Sequence, residues 1–225
     1  MKIVCFDGKD QCGKTWTLTK IKNILGEGKH YSYVNFPSKA LCSTDIFYKL
    51  TLPENKNSID MKFEFIDLLL KEEAECIEKE LKKKTAILWV DRMLFSSLVY
   101  QGNQDDWSIE EEIMHRYKKM FKKIGITGDK FYNFIFINKI KDHEDETNEA
   151  KKNFDKMGDV IGRKFDNLLY KVIESKEFYN DFLKNVHVFN ESFFVNNKPP
   201  YAREDLNKLD DERISIIFKT VGLIK

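Results

Sequence analysis

KIVCFDGKDQCGKTWTLTKIKNIL, residues 2–25, decides the fold. It opens with a short apolar run, passes through G-x-x-x-x-G-K-T from Gly8 to Thr15, and continues with helical periodicity. Strand, glycine loop, helix is the context in which this spacing wraps a phosphate. Gly8 and Gly13 let the backbone curl so that successive N–H groups point inward. A helix beginning near Lys14 aims its positive end at the anion. Lys14 is then placed to bridge the β- and γ-phosphates of a nucleotide, and the Thr15 hydroxyl to bind Mg²⁺. Asp10, Gln11, Cys12 and Trp16 complete the residues expected to surround ATP in this loop.

The same α/β alternation runs along the rest of the chain. KIVCF (2–6), YSYVNF (31–36), TAILWVD (85–91), YNFIFIN (132–138) and VHVFN (186–190) are strand-length runs rich in Val, Ile and aromatics. Three of them are almost continuously apolar, as strands covered on both faces are. Between them, residues 59–83 put Ile66, Leu70, Ala74, Ile77 and Leu81 on one helical face. Residues 109–124, 159–185 and 202–221 carry similar stripes. Strands alternating with helices predict a P-loop three-layer α/β sandwich on a five-stranded, doubly wound parallel sheet. All 225 residues are expected in one domain, with a C-terminal helical extension at about 199–225 that packs on the sheet without chemistry of its own.

Composition narrows the function classes. With 42% hydrophobic and 13% aromatic residues the chain is not disordered, and 225 residues bury a large core. A formal net charge of +1 gives no basic field for non-specific nucleic-acid binding. The apolar runs are too short to span a membrane, and the N-terminus lacks the pattern of a signal peptide. Cys5, Cys12, Cys42 and Cys76 form no C-x-x-C pair and have no zinc-spaced His partner, which predicts reduced thiols and a cytoplasmic location.

A phosphate loop is shared by GTPases, ATPases, small-molecule kinases and ligand-binding remnants. Asn138-Lys139 hints at a guanine-reading N-K-x-D, but position 141 is Lys and no D-x-x-G follows the third strand, which argues against a GTPase. The discriminating stretch is WVDRMLFSSLVYQG, residues 89–102. An acid at the C-terminal end of a parallel strand faces the same edge as the phosphate loop. Asp91 is there to hold Mg²⁺ or its water, and Arg92 to span two phosphates as a planar fork.

FDGKDQCGKT, NFPSK and DRMLFSSLVYQG, in this order and at these separations, resemble the thymidylate kinase family over most of residues 1–190. The resemblance implies an ATP- and Mg²⁺-dependent kinase that phosphorylates dTMP or a related pyrimidine deoxynucleotide. It places Asp7 near the metal with Thr15 and Asp91, and Asp10 near the acceptor sugar. Phe36 and Pro37 begin the acceptor loop, Lys39 stands where the family has an arginine for the acceptor phosphate, and Arg92 bridges the two phosphates. Ser96, Tyr100 and Gln101 line the acceptor side. A lid is implied at about 139–163, where Lys139, Lys141, Lys151, Lys152, Lys156 and Arg163 are candidate cations and Arg163 is preferred. A homodimer built on the 59–83 helix is implied as well.

The pattern departs from the family in three places. Gln11 stands where a transition-state arginine occurs in some members, which moves that role to Arg163 or a lid lysine. Met93 replaces the aromatic after D-R. The family's base-reading L-L-F-x-x-x-R has no match in FIDLLLKEEAE, residues 65–75. Counting back from Asp91 puts the stacking position near Asp67 and the arginine position at Lys71, a one-residue shift brings in Leu68, and Phe63 or Phe65 is left to stack. Two alternatives stay open: a deoxynucleoside kinase, which shares the loop and an acid–Arg arrangement, and a non-catalytic nucleotide-binding module.

Overall fold

The computed structural model describes residues 1–8, 12–52, 54–55, 57–103, 107–136, 163–171, 181–189 and 203–224. Five parallel strands form one sheet: β1 (Lys2–Gly8), β2 (Tyr31–Asn35), β3 (Ile87–Asp91), β4 (Phe131–Phe136) and β5 (Val186–Phe189). Their order is β2-β3-β1-β4-β5. The predicted parallel sheet and its five strands are what the chain builds.

The continuous apolar runs have the expected cause. Along β1, Ile3 and Cys5 point into one core while Val4 and Phe6 point into the other, and all four are buried. The first core is closed by α4 (Ile59–Lys82), α5 (Leu94–Gln101) and α6 (Ser108–Lys123). The second is closed by α1 (Lys14–Leu25) and α8 (Arg203–Thr220) around Trp89, which contacts Phe6, Tyr33 and Phe218. Each such fully buried large side chain contributes roughly 1.5–3 kcal/mol by leaving water.

The helices begin where local chemistry satisfies their first N–H groups. Ser58 Oγ accepts from the Met61 N–H at the start of α4, and Gly26, at φ 73°, ends α1 by donating to Lys22 O at 2.8 Å. Two short helices between β2 and α4 were not read from the sequence. They are α2 (Lys39–Cys42), capped by Ser38, and α3 (Asp45–Thr51), capped by Thr44. Helices of one or two turns are too short to show periodicity, so the capping residues were the readable signal.

Helix α7 is described over residues 163–169, where Phe165, Leu168 and Leu169 are buried as its stripe predicts. The helix does not run on to 185 as read from the sequence. Asp181–Leu183 is a 3-10 turn that leads into β5. Phe182 stacks on Phe121 at 4.8 Å between ring centroids, so tertiary packing sets that boundary.

Candidate active site

Register brings the chemistry to one edge of the sheet. Asp91 is the strand partner of both Phe6 and Asn35, so the ends of β1, β2 and β3 lie side by side. The ladder continues one step further: Arg92 N donates to Phe6 O at 2.9 Å, and Phe36 N donates to Asp91 O at 3.0 Å. The phosphate loop, the Phe36-Pro37 segment and the Asp91-Arg92 pair therefore share one rim.

The first glycine of the loop packs tightly on the sheet. Gly8 has φ 131°, and a Cβ there would sit 2.1 Å from the carbonyl oxygen of Phe136. Only glycine fits. Gly13, at φ 90°, starts α1. Lys14 is buried, and its Nζ donates to Gly8 O at 3.0 Å across the loop. Cys12 is buried beside it, 3.5 Å from Lys14 Nζ. Burial pushes the Cys12 thiol up in pKa, against the opposing pull of Lys14 and Arg213. Trp16 is 52% exposed on the outer side of α1. Asp10 and Gln11 lie outside the described residues.

Thr15 Oγ1 donates to Asp91 Oδ2 at 2.8 Å. The other Asp91 oxygen, Oδ1, is buried and has no hydrogen-bond partner among the described residues. Two hard oxygen donors, one of them with an unmet oxygen, at the mouth of a phosphate loop suit Mg²⁺, which takes few protein ligands and keeps water and phosphate oxygens. Asp7 sits differently. It is fully buried, and its Oδ1 accepts from Met93 N at 3.0 Å, Ser96 N at 3.0 Å and Ser96 Oγ at 2.5 Å. One carboxylate oxygen of Asp7 thus caps α5, while Oδ2 is buried with no hydrogen-bond partner among the described residues. Ser96 spends its hydroxyl proton on Asp7.

Arg92 holds a left-handed backbone at φ 70°, a conformation that costs a non-glycine residue of order 1–3 kcal/mol. Its Nη1 donates to the Tyr100 hydroxyl at 3.0 Å, and the guanidinium lies 5.4 Å from that ring's centroid. Both residues line a cavity of about 350 Å³ beside the loop. Phe36, Pro37, Ser96 and Gln101 line it too, so six of the acceptor-side residues expected from the sequence come together. The Phe36-Pro37 peptide is cis. Ser38 N donates to Glu72 Oε2 at 3.1 Å, which ties this segment to α4.

Three expected acceptor residues do not line the cavity. Lys39 is exposed at the start of α2. Asp67 pairs with Arg116, and Lys71 is exposed on the same outer side of α4. The row of α4 that faces the cavity is Phe65, Leu69 and Glu73. Counting back from Asp91 fixes helix phase only if the intervening turn has the family's length. Here the turn passes through Lys84 at φ 60°, and the count misses the facing row by two residues. Phe65, read as a substitute stacking residue, does line the cavity. Glu73 was missed, although an acid continuing the Phe65–Leu69 spacing was a readable signal.

Arg163 opens the described part of α7 with an exposed side chain. The lid candidates at 139–156 lie outside the described residues. The C-terminal helix α8 does more than pack on the sheet. Arg213, buried against the Phe136 ring at 5.1 Å, reaches Cys12 O at 3.5 Å, and Asp210 Oδ1 accepts from Thr17 Oγ1 at 2.7 Å. These contacts brace the phosphate loop from behind.

Comparison with protein-family models and with curated proteins found no match. Solved structures do match. The thymidylate kinase of Ehrlichia chaffeensis is similar at a TM-score of 0.56 and 18% identity, over 96% of this chain and 98% of that one. The thymidylate kinase of Candida albicans, described as having broad substrate specificity and a novel structural element, is similar at 0.52 and 11% identity, over 98% and 93%. At these identities the likeness is one of fold, and it extends over the C-terminal region as well.

Proposed function

We propose that the chain is an ATP- and Mg²⁺-dependent nucleoside monophosphate kinase that converts dTMP or a related pyrimidine deoxynucleotide to the diphosphate. The observation that carries this reading is the contact between two sites. Thr15 of the donor loop hydrogen-bonds Asp91, and the next residue, Arg92, lines the cavity on the acceptor side. Phosphoryl transfer asks a protein mainly for placement, charge neutralisation and water exclusion.

Lys14 and the loop amides hold the donor phosphates. Thr15 and Asp91 would hold Mg²⁺, and the ion would neutralise charge on the phosphates. Arg92, steadied by Tyr100, grips the acceptor phosphate and holds it in line with the donor. Phe36, Phe47 and Phe65 give the cavity apolar walls for a planar base. Arg163 is our candidate for the cation that completes the site when a nucleotide is bound. The reading includes a cytoplasmic protein and a homodimer through α4, on which Ile59 and Leu68 are exposed apolar residues. Among the described residues no helix is long and apolar enough to cross a membrane.

Steady-state phosphorylation of dTMP, dUMP, dCMP and dGMP, with thymidine as a control, tests the reading. A clear preference among the pyrimidine monophosphates is expected. Equal, weak rates on all four, or faster turnover of thymidine than of dTMP, would overturn it. Sedimentation at micromolar concentration reads the oligomeric state.

A further inference from the structure

The acceptor cavity holds a feature that phosphate chemistry does not use. Among the described residues lining it, Arg92 is the one cation and Glu73 the one acid. Glu73 is 0% exposed. The Tyr117 hydroxyl, presented by α6, donates to Glu73 Oε1 at 3.0 Å, and Ser97 Oγ on α5 lies 2.9 Å from that hydroxyl. Glu73 Oε2 is buried and has no hydrogen-bond partner among the described residues.

Among the described residues, the charged groups whose fields act on Glu73 are the carboxylates of Asp7, at the end of β1, and of Glu72, beside it on α4. Burial, aided by these two neighbours and opposed by the Tyr117 hydrogen bond, pushes its carboxyl well above the usual range. A buried acid with no cation beside it keeps its proton. Oε1 already accepts from Tyr117, which leaves the proton to Oε2. The cavity wall then carries a neutral donor that no described residue accepts. Buried polar groups in native structures have partners, and a missing one points to a ligand. The surrounding Phe36, Phe47 and Phe65 suit a flat ring, and a flat ring with a carbonyl on its edge accepts such a bond.

We propose that Glu73 is the base-reading residue of the acceptor cavity: held by Tyr117, it donates an Oε2–H hydrogen bond to the 4-carbonyl of the ring and selects a 4-keto pyrimidine, thymine or uracil, over cytosine, which carries an amino group there. This rests on the acceptor reading above. A site built around one buried hydrogen bond discriminates strongly, because the wrong ligand leaves the protein group unpaired. Ionisation of Glu73 at high pH converts the donor to an acceptor, so the preference for the keto base declines as pH rises.

The test measures kcat/KM for dTMP and dCMP across pH 6–9, with calorimetric binding of both, in the full chain and in Glu73→Leu, Glu73→Gln and Tyr117→Phe. The wild-type chain is expected to favour dTMP. Glu73→Leu should reduce the dTMP:dCMP ratio at least tenfold, through KM rather than kcat. Glu73→Gln, whose amide still donates, should recover most of that ratio and lose its decline with pH. Tyr117→Phe should weaken the ratio several-fold.

A ratio unmoved by Glu73→Leu and Tyr117→Phe overturns the assignment. So does a wild-type preference for dCMP that Glu73→Gln abolishes, which would make Glu73 an acceptor. If Glu73→Leu does not fold, unchanged ratios and pH profiles in the other two variants overturn it equally. A wild-type chain that phosphorylates neither nucleotide refutes the kinase reading instead, and the binding ratios still decide the role of Glu73.

Discussion

Thr15 and Asp91 stand 76 positions apart in the chain, yet their side chains meet at 2.8 Å. The contact joins the first turn of α1 to the end of β3. It fixes the Asp91 carboxylate at the mouth of the phosphate loop, with Oδ1 still unmet among the described residues. Asp91→Asn keeps the shape and removes the charge. Phosphotransfer should fall by about 100- to 1000-fold, the cost of losing one preorganised electrostatic group. A coupled assay titrated with Mg²⁺ should also show that more Mg²⁺ is needed for half-maximal rate. Unchanged kcat and Mg²⁺ dependence would remove Asp91 from the reaction.

Arg92 offers a planar fork, and lysine does not replace it. Hydrogen bonds to charged groups contribute about 1.5–3 kcal/mol each. Arg92→Lys should therefore raise the acceptor KM at least tenfold while leaving the ATP KM within a few-fold. Tyr100→Phe removes the 3.0 Å contact that steadies the guanidinium and should have a smaller effect in the same direction.

The two loop glycines are not equivalent. A Cβ on Gly8 meets the backbone of Phe136 at 2.1 Å, whereas a Cβ on Gly13 meets the side-chain tip of Arg213 at 3.1 Å. Backbone of a central strand cannot retreat, but an arginine side chain can. Thermal denaturation should show Gly8→Ala losing far more stability than Gly13→Ala, although both positions carry positive φ.

Burial raises the pKa values of Glu73, Glu110 and Asp210. A raised folded pKa means that the native state binds the proton more tightly than the unfolded chain does. These groups contribute most below their ordinary values of 4.5 and 3.8, and the contribution fades as pH rises through the folded pKa. The slope is at most about 1.4 kcal/mol per pH unit per group. Glu73→Gln should therefore gain melting temperature relative to wild type as pH rises from about 4.5, the ordinary glutamate value. A difference that is flat or falling with pH would mean that Glu73 is ionised in the native state.

Cys5 and Cys12 are buried, whereas Cys42 and Cys76 are partly exposed. Cys42 also lines the acceptor cavity. A thiol reagent should label Cys42 and Cys76 first, and a bound nucleoside monophosphate should slow labelling of Cys42 but not of Cys76. Equal protection of both would place the nucleotide elsewhere.

Much of this was legible in the chain alone. The strand–glycine loop–helix at 2–25 and the continuous apolar runs declared a parallel sheet, because burial on both faces removes the polar half of a strand's alternation. Gly8, Lys14, Thr15, Asp91 and Arg92 were readable because each occupies a fixed spacing from a strand end. The sequence could not show which row of α4 faces the cavity. That phase depends on how the turn before β3 closes, and Lys84 closes it in the left-handed region. Only the tertiary structure moved the facing row from Asp67 and Lys71 to Leu69 and Glu73, set Tyr117 of α6 against that acid, and brought Arg213 under the phosphate loop. Local periodicity determines elements and the residues at their ends. Which side chains meet across elements is decided by packing, because a helix rotated by two residues presents a different chemistry to the same cavity.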